Sequence, residues 1–212
     1  MSKIRIGSLA LLALLLGQTP VFAQNASAKA WSFAAELPVS YGYSSWKGVD
    51  SAGTASGVLA FLHSPWMIGV GVENYTVDTS GTGSGPFQQS TVGRGHFSAS
   101  FSFTDLLLTF PMGLGSFTVG YGTGKVTLDK STVMYTGGGG GPSTSVFTAD
   151  KSANASQVLI AVGGALSPRW EFRGSVHSVT TDSVALLDTG VPTGSNISYG
   201  GTLVALGLAY KL

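Results

Sequence analysis

The chain has 212 residues, of which 11 are Lys or Arg and 10 are Asp or Glu. About a tenth of it is therefore charged, where an ordinary soluble domain carries roughly a quarter. The absence of Cys excludes a disulfide framework and any Cys-ligated zinc or iron–sulfur centre. The near-neutral balance excludes a basic field for nucleic acid, and no apolar run of about 18 residues follows residue 24, so no helix is expected to span a membrane.

Residues 1–23 read as an export signal. Lys3 and Arg5 form a basic start, Leu9 to Leu16 an apolar centre too short to cross a bilayer, and Val21-Phe22-Ala23 a small-x-small processing site. The remaining domain, 24–212, loses Lys3 and Arg5 from the 11 basic groups, and the 9 left against 10 acids name no partner.

From there the dominant period is two, the period of a β-strand. Trp31, Phe33, Ala35, Leu37, Val39, Tyr41 and Tyr43 alternate with small or polar residues that include Glu36. The texture returns with Trp66, Ile68, Val70 and Val72 against Met67, Gly69, Gly71 and Glu73. It returns again with Phe97, Ala99, Phe101 and Phe103 against Arg94, His96, Ser98, Ser100 and Ser102. Phe117, Val119 and Tyr121, then Val158, Ile160 and Val162, then Trp170, Phe172 and Val176 repeat it. With a weaker strand around Ala55 to Leu62 this predicts eight strands, at 30–43, 54–62, 66–77, 93–110, 115–128, 153–166, 170–180 and 197–212. Short Pro-bearing turns at 63–65, 111–114 and 167–169 alternate with long polar segments at 44–53, 78–92, 129–152 and 181–196.

Tight turns at one end and long loops at the other, with an even strand count, predict an all-β fold: an eight-stranded antiparallel up-and-down transmembrane β-barrel. The apolar face of each strand is assigned to lipid, which removes any need for surface charge. The Gly, Ser, Ala and Thr of the other face suit the narrow interior of an eight-stranded barrel. Aromatics near strand ends, Tyr41, Tyr75 and Tyr199 among them, are assigned to interfacial girdles. After Phe103 the apolar set moves to Leu106, Leu108 and Phe110, which predicts a bulge near Thr104 and Asp105.

The last run, Val204, Leu206, Leu208, Tyr210 and Leu212, alternates to the final residue. In this, and in the pattern of the whole mature chain, the sequence resembles the small eight-stranded outer-membrane proteins of the kind of the OmpA transmembrane domain, OmpX and OmpW. The resemblance implies the outer membrane of a Gram-negative bacterium, periplasmic termini, outer-membrane lipid as surroundings, and the barrel-assembly machinery as the partner that reads the C-terminal run. The usual last residue of that signal is aromatic, and Leu212 departs from it.

The inward ionisable candidates are Glu36, Glu73, Arg94, His96, Glu171, Arg173, His177 and Lys211. Charges inside a barrel must be paired or wetted, so these are expected to form a structural salt-bridge network. Outer-membrane lipid A deacylases place a His and a Ser two residues apart on one face, as His96 and Ser98 stand here. That face is assigned to the lumen, away from lipid, and no enzyme is expected. Gly120 to Lys125 (GYGTGK) lacks the spacing of a phosphate loop and lies on a strand, and Gly137 to Gly141 reads as a flexible loop tip. No cofactor or metal is expected. The function expected is a structural or surface-interaction role through the exposed loops, the surface ligand being open. The alternatives are a narrow transport or sensing barrel for small or hydrophobic molecules, a lipid A-modifying enzyme, and a soluble secreted β-sandwich.

Overall fold

A computed structural model describes residues 30–46, 49–84, 92–113, 115–135, 143–148, 152–188 and 191–212; the expected signal segment and the glycine run at 137–141 lie outside them. Eleven strands follow in chain order among the described residues. They are β1 Ser32–Trp46, β2 Val49–His63, β3 Ile68–Ser84, β4 Val92–Met112, β5 Gly115–Tyr135, β6 Ser143–Thr148, β7 Ala153–Ala165, β8 Trp170–Thr181, β9 Val184–Asp188, β10 Val191–Ile197 and β11 Gly201–Lys211. Eight of them, β1 to β5, β7, β8 and β11, pair antiparallel with their neighbours, and β11 returns to β1. The sheet is thus a closed barrel without edges, which is what lets every ladder donor and acceptor be satisfied inside hydrocarbon. A soluble two-sheet sandwich is excluded by this closure.

The segments expected as long loops are largely strand. β1 and β2 run on to meet at Trp46 and Val49, and β3 and β4 stay paired up to Ser84 and Val92. The outer part of β5 pairs with β6, β6 with β9, and β9 with β10, so a sheet continues beyond the barrel from one side of its wall. At the opposite end the turns are tight. Met67, with φ of 70°, and Gly113, with φ of 50°, take the left-handed conformation that reverses the chain there. Met67 therefore sits exposed in the turn and not on the inward face of β3. The aromatics at this end form a girdle. Trp31 packs edge-on to Trp66 at 6.4 Å between centroids, Trp170 on Tyr210 at 4.9 Å, and Phe110 on Phe117 at 6.5 Å.

The outer face is apolar near the girdle: Phe33, Leu37, Ile68, Val70, Leu106, Leu108, Val158 and Leu206 are exposed. Lipid is the only solvent that tolerates such a belt around a closed sheet. In this half the inward face carries Glu36, His63, Glu73, Asp105, Gln157 and Arg173, all buried. In the half toward the long hairpins the faces exchange character. Tyr41, Tyr75, Phe101 and Phe103 are buried inside, whereas Ser102, Thr104 and Thr123 are exposed outside.

This exchange corrects several expectations. Phe101 and Phe103 face the lumen and not lipid, and Ser100 and Ser102 face outward. No bulge stands at Thr104 and Asp105. Alternation runs unbroken from Ala99 to Leu108, and the register irregularity of β4 against β5 lies between Ser98 and Ala99. What changes at Thr104 is the solvent outside, so the apolar set moves to the inner face while the strand continues. In β1 the register slips between Pro38 and Ser40, which turns Tyr41 inward although Val39 points out. Tyr75 and Tyr199 are likewise buried inside and belong to no girdle.

The two halves make opposite predictions for arginine. Val70→Arg places a charge in the lipid belt and should cost about 2–4 kcal/mol. Ser102→Arg, on the same outward face above the belt, should leave the urea midpoint in vesicles near that of the parent. Equal losses for the two would show that the belt does not end between them.

Candidate functional site

The lumen of the lipid-facing half holds polar and charged groups packed among Phe61, Leu107 and Leu159. The guanidinium of Arg173 donates through Nε to Glu36 Oε1 at 3.0 Å and lies over the ring of Phe61, 5.9 Å from its centroid. The Ser175 hydroxyl donates to the other Glu36 oxygen and stands 2.8 Å from His177 Nε2. His177 Nδ1 is 3.2 Å from Glu73 Oε1. Glu73 on β3 and His177 on β8 stand four strands apart either way round, so this contact spans the barrel diameter. The carboxyl groups of Glu73 and Asp105 meet in the same layer, and Gln157 Nε2 donates to Asp105 Oδ1 at 2.7 Å. Toward the girdle, Ser116 donates to Glu171 Oε1, Lys211 Nζ lies 3.7 Å from Glu171 Oε2, and Thr109 bridges His63 Nδ1 at 2.8 Å and Thr118 at 3.0 Å.

Glycines make room for these contacts. Gly207 on β11 is the register partner of both Glu36 on β1 and Arg173 on β8, and the ion pair closes across it. Gly122 on β5 stands in the same relation to Asp105 on β4 and Gln157 on β7. A Cβ on Gly122 would collide with Asp105 Oδ1 and press on Gln157. Gly120 serves Leu107 and Leu159 in the same way, and Gly124 serves Phe103. The GYGTGK segment is therefore a ridge of missing side chains along β5, the small half of a small-and-large alternation that fills a narrow barrel.

Above the network lies an aromatic layer. Tyr75 stacks on Phe101 at 5.1 Å, Tyr41 meets Phe101 at 5.6 Å, and Phe103 lies 6.2 Å from Tyr75. The segment before β11 folds over this layer: Tyr41 Oη donates to the Tyr199 carbonyl at 2.6 Å, and the Tyr199 amide donates to Thr181 Oγ1 at 2.7 Å.

Of the expected inward residues, Glu36, Glu73, Glu171, Arg173 and His177 are buried in the lumen and Lys211 is partly exposed at its girdle end. The side chains of Arg94 and His96 lie outside the described residues, and Ser98, expected in the lumen, keeps the outward parity of Ser100 and Ser102. His63, Asp105 and Gln157 complete the network. His63 stood in an expected turn and Asp105 at an expected bulge, although the parity of β4 counted back from Leu107 would have turned Asp105 inward. Carboxyl groups outnumber fixed cations, with Glu36, Glu73, Asp105 and Glu171 facing only Arg173 and Lys211 among the described residues. Val204, Leu206, Leu208, Tyr210 and Leu212 share the outward face of β11 and its end, and Leu203, Ala205 and Ala209 fill the lumen between them.

Ser175, His177 and Glu73 have the connectivity of a nucleophile, base and orienter. Two features oppose that chemistry: the Ser175 proton is given to Glu36 and not to His177, and the three side chains are buried.

No protein-family model matches the chain, and no curated protein matches it. Among solved structures it is similar to Neisserial surface protein A (14% identity, 86% of this chain and 97% of that one, TM-score 0.49). It is also similar to the outer membrane protein OprG from Pseudomonas aeruginosa (12% identity, 86% and 93% covered, TM-score 0.48) and to a major outer membrane protein from Thermus thermophilus (12% identity, 86% and 100% covered, TM-score 0.47).

Arg173→Met leaves Glu36 buried without its cation and should destabilise the barrel by about 3–5 kcal/mol. Adding Glu36→Gln should restore part of that loss, read as the urea midpoint of the heat-modifiable gel band. Gly122→Val should reduce the folded fraction more than Gly174→Val, since a Cβ on Gly174 meets the tip of Leu206 and the Ala205 carbonyl at ordinary contact distance.

Proposed function

We propose that this protein is a surface-contact barrel of a Gram-negative outer membrane: a closed anchor whose working surface is the long-hairpin end. The observation that carries the reading is the division of the molecule. The lumen holds the Arg173–Glu36 and Asp105–Gln157 contacts, with Tyr41, Tyr75, Phe101 and Tyr199 buried above them, which supports a filled anchor over an open channel. The wall, by contrast, is drawn out on one side. β4 and β5 have 21 residues each, against 13, 12 and 11 for β7, β8 and β11, and β6, β9 and β10 widen that tall side into a sheet.

In this reading the tight turns are periplasmic and the tall wall is outside the cell. Outer-membrane lipid surrounds the belt, and the outward run from Val204 to Leu212 is what the assembly machinery recognises. No enzymatic role is part of this reading, since the Ser175 hydroxyl of the triad-like contact with His177 and Glu73 donates to Glu36. A narrow transport or sensing barrel is the second reading, and it would need the Arg173–Glu36 pair to part.

Cysteines at Thr82 on β3 and Thr193 on β10 should react with an impermeant maleimide on intact cells, while one at Ser64 should react only after the envelope is opened. A barrel with the β3–β4 and β5–β6 hairpins cut down to short turns should still show heat-modifiable migration but lose cell-surface adhesion conferred by the parent. Retained adhesion would move function away from the tall wall. Planar bilayers should show no stable, porin-sized conductance, and a steady open channel would promote transport.

A further inference from the structure

The apolar belt ends at one level all around the barrel. Leu106 on β4, Tyr121 on β5 and Val158 on β7 are direct register partners, and each is the last apolar outward residue toward the long hairpins among the residues of its strand whose side chains are described. Val176 on β8 and Val204 on β11 are partners in the same way. Between other strands the boundary steps by one rung, with Val58 opposite Asn74, Val72 opposite Thr104 and Val158 opposite Ser178. Such steps are the stagger that a tilted, closed sheet requires of a level ring.

Above that ring the outward residues change at once. Ser56, Asn74, Thr104, Thr123, Ser156 and Ser178 form the next rung, and beyond it come Asp78, Ser102, Lys125, Thr127 and Thr180. Placed in hydrocarbon, these hydroxyl, amide and charged ends would lose their hydration, which costs far more than leaving them among headgroups and water. Tyr121 is the one aromatic at this level among the outward residues whose side chains are described, against the Trp31, Trp66 and Trp170 girdle at the other end.

The distance between girdle and ring is short. Trp170 to Val176 on β8 is six residues, which at about 3.4 Å each and a tilt of about 40° rises roughly 15 Å, and Ile68 to Val72 on β3, above the turn that carries Trp66, is four residues, or roughly 10 Å. On β1, Trp31 to Val39 is eight residues, or roughly 20 Å. An outer-membrane belt is usually about 25 Å tall and a bilayer core about 30 Å. A core of that thickness, seated on the tryptophan girdle, would submerge Asn74, Thr104 and Thr123.

We propose that the barrel seats in a locally thinned bilayer, that its preferred lipid surface has a hydrocarbon thickness of about 15–20 Å, and that the hydroxyl rung lies among the lipid headgroups. The inference rests on the membrane reading of the belt and not on any role of the tall wall, and vesicles test it without a cell surface.

The full chain, refolded from urea into phosphatidylcholine vesicles, should have its highest equilibrium urea midpoint in didecanoyl or dilauroyl lipid and a lower one in dioleoyl lipid. A variant with Thr104→Val, Thr123→Val, Ser156→Val and Ser178→Val extends the belt by a rung on four strands. Its optimum should move at least one step toward longer chains. A parent optimum in dioleoyl lipid, or a variant optimum unchanged from the parent, would overturn the proposal. If the variant does not fold, depth is read on single cysteines carrying an environment-sensitive fluorophore in dimyristoyl vesicles. Brominated mid-chain lipid should quench a probe at Leu106 strongly and one at Thr104 or Asn74 weakly. Equal quenching would overturn the proposal as surely.

Discussion

A single antiparallel sheet, closed on itself, meets two solvents along its length, and nearly every local feature of this protein answers to that constraint. Near the tryptophan girdle the outside is lipid, so outward residues are apolar and the interior can hold charged and polar groups beside Phe61, Leu107 and Leu159. Past Val72, Leu106 and Tyr121 the outside is polar, and the burial of apolar side chains reverts to the interior as in a soluble barrel. Phe101 and Leu106 point to opposite faces of one uninterrupted strand by simple alternation, and both are apolar because the solvent outside changes between them.

The narrowness of an eight-stranded barrel then decides how its interior is filled. Side chains cannot all be large, and they cannot all be absent without leaving a bore. The solution here is one of register: glycine at 122 and 207 stands between polar partners on the flanking strands, and the partners bond across the gap. Burial of Arg173 and Glu36 is tolerable because each satisfies the other, and because Ser175 takes up the second carboxylate oxygen. The same contacts tie strands that are not neighbours, so they resist ovalisation of the barrel.

A short belt and a tall, widened wall belong together. The polar outer face begins early on β3, β4 and β5, and these strands continue furthest from the girdle. In the proposed reading, material that a taller belt would have committed to lipid is instead presented to the aqueous side, on paired strands that need no separate domain to hold them. Binding surfaces carried on paired strands keep their geometry better than surfaces carried on loops.

Much of this was legible in the residues. Period-two alternation, the scarcity of charge and the unequal connections are local properties, and they suffice for eight strands, a closed barrel and the inward placement of Glu36, Glu73, Glu171, Arg173 and His177. Alternation reports two faces but carries no sign: it says that Phe101 and Ser102 oppose each other and not which of them meets lipid. The sign depends on height above the membrane and on the slip between Pro38 and Ser40, and both are set by how strands stack around the whole ring. Partners across the lumen, such as Glu73 with His177, are more than a hundred residues apart in sequence and meet only through closure. Residue identity therefore settled the architecture and its chemistry of small and large inward groups. Closure, register and the level of the surrounding solvent decided which face each group would occupy and whom it would touch.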